Sequence, residues 1–223
     1  MSVFRDEGEL NRYLREKIKC IPYWKNVWVN KSFAKQGFYS ELRKLVTQNP
    51  SDNIFPLAQP EIDLIAKDTH DKLFGIQVKY LKFEGKCIFP IRPGKDKHSH
   101  SYYLGIGQTL ASLMFGFDSV SLWHCFDFED GSADPGSIRT YTEAANKLVT
   151  VLNLPINYYA LWIRTRRGIK ESLLITPRTG NDKQWDQLRC QLPPIYGKEN
   201  PLRSIPEVKE VNEFLRKKLE NCY

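Results

Sequence analysis

The chain has 223 residues, 41% of them hydrophobic, which is enough to bury one substantial core; its 33 Lys and Arg against 26 Asp and Glu give a net charge of +7. That excess favours polyanionic partners, while the lack of any run of about 18 apolar residues and the charged opening from Met1 to Glu9 argue against a membrane span and a secretory leader. The five cysteines (Cys20, Cys87, Cys125, Cys190, Cys222) are scattered and never form C-x-x-C, so neither a disulfide framework nor a zinc ribbon is indicated.

Residues Gln36 to Gln48 read as a helix, because Phe38, Leu42, Leu45 and Val46 share one face; Asn49-Pro50 stops it. Glu61 to Ala66 alternates as a strand, with Ile62, Leu64 and Ala66 on one side and Glu61, Asp63 and Ile65 on the other. A charged turn over Lys67 to Lys72 leads into a second strand, Leu73 to Leu81, in which Phe74, Ile76, Val78 and Tyr80 oppose Gly75, Gln77 and Lys79. Lys82 to Ser101 reads as a long basic connection broken by Pro90, Pro93 and Gly94.

A buried helix is expected from about Tyr102 to Phe115, a strand over Ser119 to Phe126 and a helix over Ser137 to Leu152. Asn157 to Thr165 and Glu171 to Thr176 form a β-hairpin turning through Arg166, Arg167 and Gly168. A last amphipathic helix starts near Pro206 and buries Val208, Val211, Leu215 and Leu219. With no repeat or low-complexity tract, residues 1–223 are expected to form one α/β domain, a mixed β-sheet flanked by helices.

Metal-assisted phosphodiester cleavage needs oxygen ligands for a hard cation and a nearby positive group to orient water and offset developing charge. Asp63 and Glu61 share one face of the first strand, Gln77 and Lys79 one face of the next, and in an antiparallel hairpin these faces coincide. Glu41, at the edge of the apolar stripe of its helix, can look toward the same place.

The helix bearing Glu41, then "PEIDLIA" (Pro60 to Ala66), then "GIQVKYL" (Gly75 to Leu81) followed by a helix, resembles the core of the PD-(D/E)XK nuclease superfamily over about Gln36 to Phe126. Restriction endonucleases, Holliday-junction resolvases and transposon-end nucleases belong to it. The resemblance implies a restriction-endonuclease-like fold with N-terminal and C-terminal additions to that core. It also implies a metal-dependent endonuclease of restriction, repair or mobile-element type, acting on DNA with Mg²⁺ or Mn²⁺. Asp63, Glu41, Gln77 and the main-chain carbonyl of Val78 would then hold the metal, and Lys79 would position the nucleophilic water. Gln77 stands where the family has a second acid, which removes one negative charge; Glu61 restores it if it reaches the cation. The other reading of the same resemblance is a catalytically weakened nucleic-acid-binding or assembly module.

Gln108 and Tyr103, on the helix after the lysine strand, match the place where family members put auxiliary polar residues. Two basic segments suit a phosphate backbone: Lys82, Lys86, Arg92, Lys95 and Lys97 in the long connection, and Arg164, Arg166 and Arg167 at the hairpin tip. His98 and His100 form H-x-H without a second ligand pair and read as part of the basic loop. A cytoplasmic, nucleoid-associated protein is expected, as a homodimer or within a larger complex, because cutting two strands calls for two sites.

Overall fold

The computed structural model describes residues 2–29, 62–84, 87–90, 105–127, 135–175 and 197–221. Among these residues, seven strands make one mixed sheet: β1 (Trp24–Val29), β2 (Leu64–Asp68), β3 (Leu73–Glu84), β4 (Cys87–Pro90), β5 (Ser119–Asp127), β6 (Asn157–Arg166) and β7 (Ile169–Ile175). The spatial order is β1-β2-β3-β5-β6-β7, and β4 pairs with the distal part of β3. β3, β5 and β6 run parallel, while the remaining neighbours are antiparallel. Helices α1 (Glu7–Lys19), α2 (Ile106–Ser112), α3 (Pro135–Val151) and α4 (Pro206–Glu220) flank the sheet, giving the expected α/β arrangement.

Strand alternation divides the interior into two cores. On one face Leu64, Ala66, Phe74, Ile76, Val78, Tyr80, Trp123 and Cys125 pack against Leu10, Leu14 and Ile18 of α1 and against Val3 and Phe4. Leu10, Leu14 and Ile18 recur every fourth residue, so α1 turns one apolar stripe to the sheet. Asp6 caps this helix by accepting the Glu9 main-chain N–H at 2.8 Å. On the other face Ile65, Leu73, Val120 and Leu122 meet Ile106, Phe115 and Phe117, together with Val211, Leu215 and Leu219 of α4. The final helix begins at Pro206 and buries the four expected residues.

Several expected boundaries shift. The strand expected over Glu61 to Ala66 is β2, Leu64–Asp68, and Ile62 lies before it. Free of the pleat, Ile62 joins Ile65 in the α4-side core instead of sharing a face with Leu64. The connection expected from Lys82 instead continues β3 to Glu84 and returns as β4. Among the described strands β4 pairs only with β3, and such an edge strand tolerates Pro90. The helix expected from Tyr102 is α2 from Ile106, followed by a 3₁₀ turn at Leu113–Phe115. Both α1 and β1 went unforeseen. The predicted helix over Gln36 to Gln48 lies outside the described residues.

Gly75 faces the ring of Phe117, and a Cβ there would sit 2.7 Å from Phe117 Cδ2. Because Phe117 is fully buried, its ring has little room to move aside. Gly75→Ala is expected to cost about 1–3 kcal/mol in denaturant unfolding, with much of the loss recovered by adding Phe117→Leu.

Burial pushes the Cys125 thiol up, with the charges of Glu7 and then Asp63 adding to it. Burial likewise raises Tyr80, where Asp127 contributes further, and also Tyr141 and Tyr158. These groups hold their protons more tightly folded than unfolded. Their contribution to stability is therefore complete below the ordinary thiol value of 9.0, and it is lost as pH rises through that value and the ordinary phenol value of 10.0. Urea midpoints are expected to fall above pH 9.0, and Cys125→Ala should delay the onset toward the phenol range.

Candidate active site at the open edge of β3

The ladder between β2 and β3 ends at Leu64 opposite Ile76, and the β3–β4 ladder starts only at Leu81 opposite Pro90. Between them, Gln77 to Tyr80 have no strand partner on that edge among the described residues, while they remain paired with β5 on the other. Main-chain groups of alternate residues point to the same edge, so the N–H groups of Val78 and Tyr80 face the gap. Carboxylates satisfy both: Asp63 Oδ2 accepts the Val78 N–H at 2.8 Å, and Glu7 Oε2 accepts the Tyr80 N–H at 3.3 Å. The Val78 carbonyl projects from the same edge by the same geometry.

Two acidic groups are thereby fixed side by side. Lys79 reaches both, with its Nζ 3.9 Å from Asp63 Oδ2 and 3.7 Å from Glu7 Oε1. The lysine is 8% exposed and Asp63 7% exposed, so each charge depends on the other for compensation. The stem of Lys79 lies under Gly105, which caps α2 at φ +83; a Cβ there would approach the Lys79 Cγ and Cε to 3.1 and 3.2 Å. Gly105 thus meets both a left-handed backbone and a close approach to the lysine.

Gln77 donates its Nε2 to Asp63 Oδ2, and Asn11 donates its Nδ2 to Asp63 Oδ1 at 3.4 Å. Both carboxamide oxygens, Gln77 Oε1 and Asn11 Oδ1, are buried and meet no hydrogen-bond donor among the described residues. An orphaned buried acceptor costs about 1–3 kcal/mol, and here two gather on one carboxylate.

The structure therefore brings Asp63, Gln77 and Lys79 together as expected. Glu41, Glu61, Tyr103, Lys86, Arg92, Lys95 and Lys97 lie outside the described residues. Gln108 is half-buried on α2, and among the hydrogen bonds and ion pairs of the described residues none links it to Asp63, Gln77 or Lys79. Lys82 belongs to β3, three residues past Lys79. Arg164 is ion-paired with Glu171 at 3.1 Å, whereas Arg166 and Arg167 are exposed at the β6–β7 turn. Lys79 is in register with His124, and His124 with Ala160. Arg166 thus lies about 20 Å further along the same end of the sheet.

Sequence reasoning missed Glu7 and Asn11. Their signal was present: Asp6-x-x-Glu9 before Leu10, Leu14 and Ile18 marks a helix start, and Glu7 and Asn11 fall one turn apart beside its apolar stripe.

Carboxylate and carboxamide oxygens are the donors that hard divalent cations take, so the donor chemistry fits Mg²⁺ or Mn²⁺. The unpartnered oxygens of Gln77 and Asn11 fit it as well. Among the described residues no group of three His, Cys, Asp or Glu side chains gathers, so two of the four donor side chains are neutral. No helix among them is long and apolar enough to cross a membrane.

No family model matches the sequence, and no curated protein does. A solved structure, that of Pyrococcus furiosus SfsA in complex with Ca²⁺, is similar at 13% identity and a TM-score of 0.30, over 77% of this chain and 67% of that one.

Proposed function

We propose that the chain is a divalent-cation-dependent endonuclease that hydrolyses phosphodiester bonds in DNA, with Asp63, Glu7, Gln77 and Lys79 as its site. The observation that carries this reading is the convergence of two carboxylates and a buried lysine at the gap in the β3 edge. Asp63, Glu7, Gln77 and the Val78 carbonyl would hold Mg²⁺ or Mn²⁺. Bound there, the cation supplies Lewis acidity toward a phosphate oxygen.

Lys79 lies between Asp63 and Glu7 and would offer a fixed positive charge where the phosphorane gathers negative charge. Its ammonium can also donate a hydrogen bond that orients the attacking water. Packing under Gly105 limits the swing of the lysine stem, so its position is set before substrate arrives. Arg166 and Arg167 give the same end of the sheet an exposed positive edge for the phosphate backbone.

One observation favours a second reading, a catalytically weakened nucleic-acid-binding or assembly module. Gln77 contributes no charge, so Asp63, Glu7 and Lys79 sum to a single negative charge for attracting a cation. Gln77→Glu separates the two: cation-dependent cutting that arises only in the variant supports the module, and similar cutting by both proteins supports the enzyme.

The test is nicking of supercoiled plasmid in Mg²⁺ or Mn²⁺. Asp63→Ala and Lys79→Met, checked for folding by near-ultraviolet circular dichroism, are each expected to lower the rate by at least about a hundredfold. Added salt should weaken binding steeply, and less so in Arg166→Ala/Arg167→Ala. Cutting that survives either substitution, or no cutting of any DNA or RNA with either cation, rules out the enzyme.

A further inference from the structure

We infer that the side-chain carbonyl oxygen of Asn11 is a further ligand of the cation held at Asp63, so that α1 supplies two donors, Glu7 and Asn11, one helical turn apart. This rests on the cation site of the reading above and adds to it a residue outside the set that the hairpin motif defines.

Glu7 and Asn11 are four residues apart in α1 and so share a face of the helix. Glu7 reaches the Tyr80 N–H and Lys79, and Asn11 reaches Asp63, so the two side chains approach the same hairpin. Asn11 is 8% exposed on a helix whose other buried residues are Leu10, Leu14 and Ile18. A fourth apolar residue would serve packing better than a carboxamide there.

Among the described residues, the hydrogen bond from Asn11 to Asp63 is long, at 3.4 Å, and the Asn11 oxygen meets no donor. Gln77 repeats the pattern on the other oxygen of the same carboxylate, amide nitrogen engaged and amide oxygen orphaned. Two buried neutral oxygens beside one aspartate, each without a donor, are explained together by a cation that takes both. Asparagine and glutamine carbonyls are ordinary ligands of hard cations, and they add coordination number without adding charge. They would let a site with only two carboxylates exclude more water than its charge alone implies.

The probe is Tb³⁺, whose luminescence lifetimes in H₂O and D₂O count the water molecules coordinated to it. In the full chain, Tb³⁺ is expected to bind in a manner that Asp63→Ala abolishes and Mn²⁺ competes away. Asn11→Leu should then leave one more coordinated water and weaken binding by about ten- to a hundredfold. A residue that only steadies Asp63 would lower the melting temperature of the metal-free protein while leaving the water count alone, and that result overturns the inference.

Asn11→Asp keeps an oxygen in place and so gives an answer even if the leucine variant fails to fold. It should bind Tb³⁺ more tightly at the native water count; weaker binding or an added water overturns the inference. Native protein that binds no Tb³⁺ at Asp63 overturns it too. Coordination by Asn11 in a protein that cuts no DNA would remove the nuclease reading alone, and cutting with an unchanged water count in Asn11→Leu would remove this inference alone.

Discussion

The site depends on a stretch of β3, Gln77 to Tyr80, that among the described residues has a strand partner on one side only. Backbone N–H groups inside a protein must find acceptors, and those of Val78 and Tyr80 take them from side chains of Asp63 and Glu7. Charge-assisted bonds of this kind are stronger than the amide pairs they replace. The cost of interrupting the sheet is thus offset by the groups that give the interruption its chemistry. Lys79 follows from the same arrangement, since a buried carboxylate such as Asp63 needs a nearby positive charge to offset it.

Glu7 arrives at the gap because the start of the chain is fastened across the sheet. Asp127 Oδ2 accepts both the Val3 N–H at 2.9 Å and the Tyr80 hydroxyl at 2.6 Å, while the Tyr80 hydroxyl accepts the Phe4 N–H at 2.9 Å. Lys170 then reaches from β7 to Glu9 at 2.8 Å and lies 4.2 Å from the centre of the Phe4 ring. Residues before and after Glu7 are therefore held by β3, β5 and β7, so the first turn of α1 has one placement. Tyr80 serves twice, its hydroxyl anchoring this segment and its main-chain N–H receiving Glu7.

Period-two alternation made the hairpin legible, because a strand residue's face is fixed by parity once the strand is recognised. Gln77 and Lys79 emerged on the face opposite Ile76, Val78 and Tyr80 for that reason, and Asp63 met Gln77 because the Leu64–Ile76 register continues one step beyond the ladder. Parity failed at Ile62, where no pleat exists to impose it. Glu7 and Asn11 were hidden by a different property of sequence. A helix stripe is recognised by its apolar members, and a polar residue beside it looks the same whether it meets solvent or a buried carboxylate. Only the path of α1 across the sheet tells them apart, and that path is set by contacts between residues more than 70 positions apart, such as Phe4 with Tyr80. The first part of the basic connection after Lys82, up to Pro90, was misjudged because proline reads as a breaker, although an edge strand tolerates it; residues 91–101 of that connection lie outside the described residues.

A chain selected for stability alone has easier ways to fill this place. Extending β2 by a few residues would close the β3 edge with main-chain bonds, and apolar side chains in place of Asp63, Lys79 and Asn11 would remove buried charge and the unpartnered oxygens of the site. Replacing buried ionic groups by packed apolar ones is often neutral or favourable by about 1–4 kcal/mol. The arrangement instead holds two carboxylates, an ammonium and two half-satisfied carboxamides where Asp63, Gln77, Lys79 and Asn11 are all less than a tenth exposed. Among the described residues, Asn11, Gln77 and the Val78 N–H donate to Asp63 and the Tyr80 N–H donates to Glu7, while the side-chain oxygens of Asn11 and Gln77 are left over. The proposed reading rests on this balance, since surplus oxygen and net negative charge suit a small cation better than an apolar or anionic guest. On the proposed reading, a bound cation would relieve the orphaned oxygens of Gln77 and Asn11 and turn the local charge in favour of phosphate.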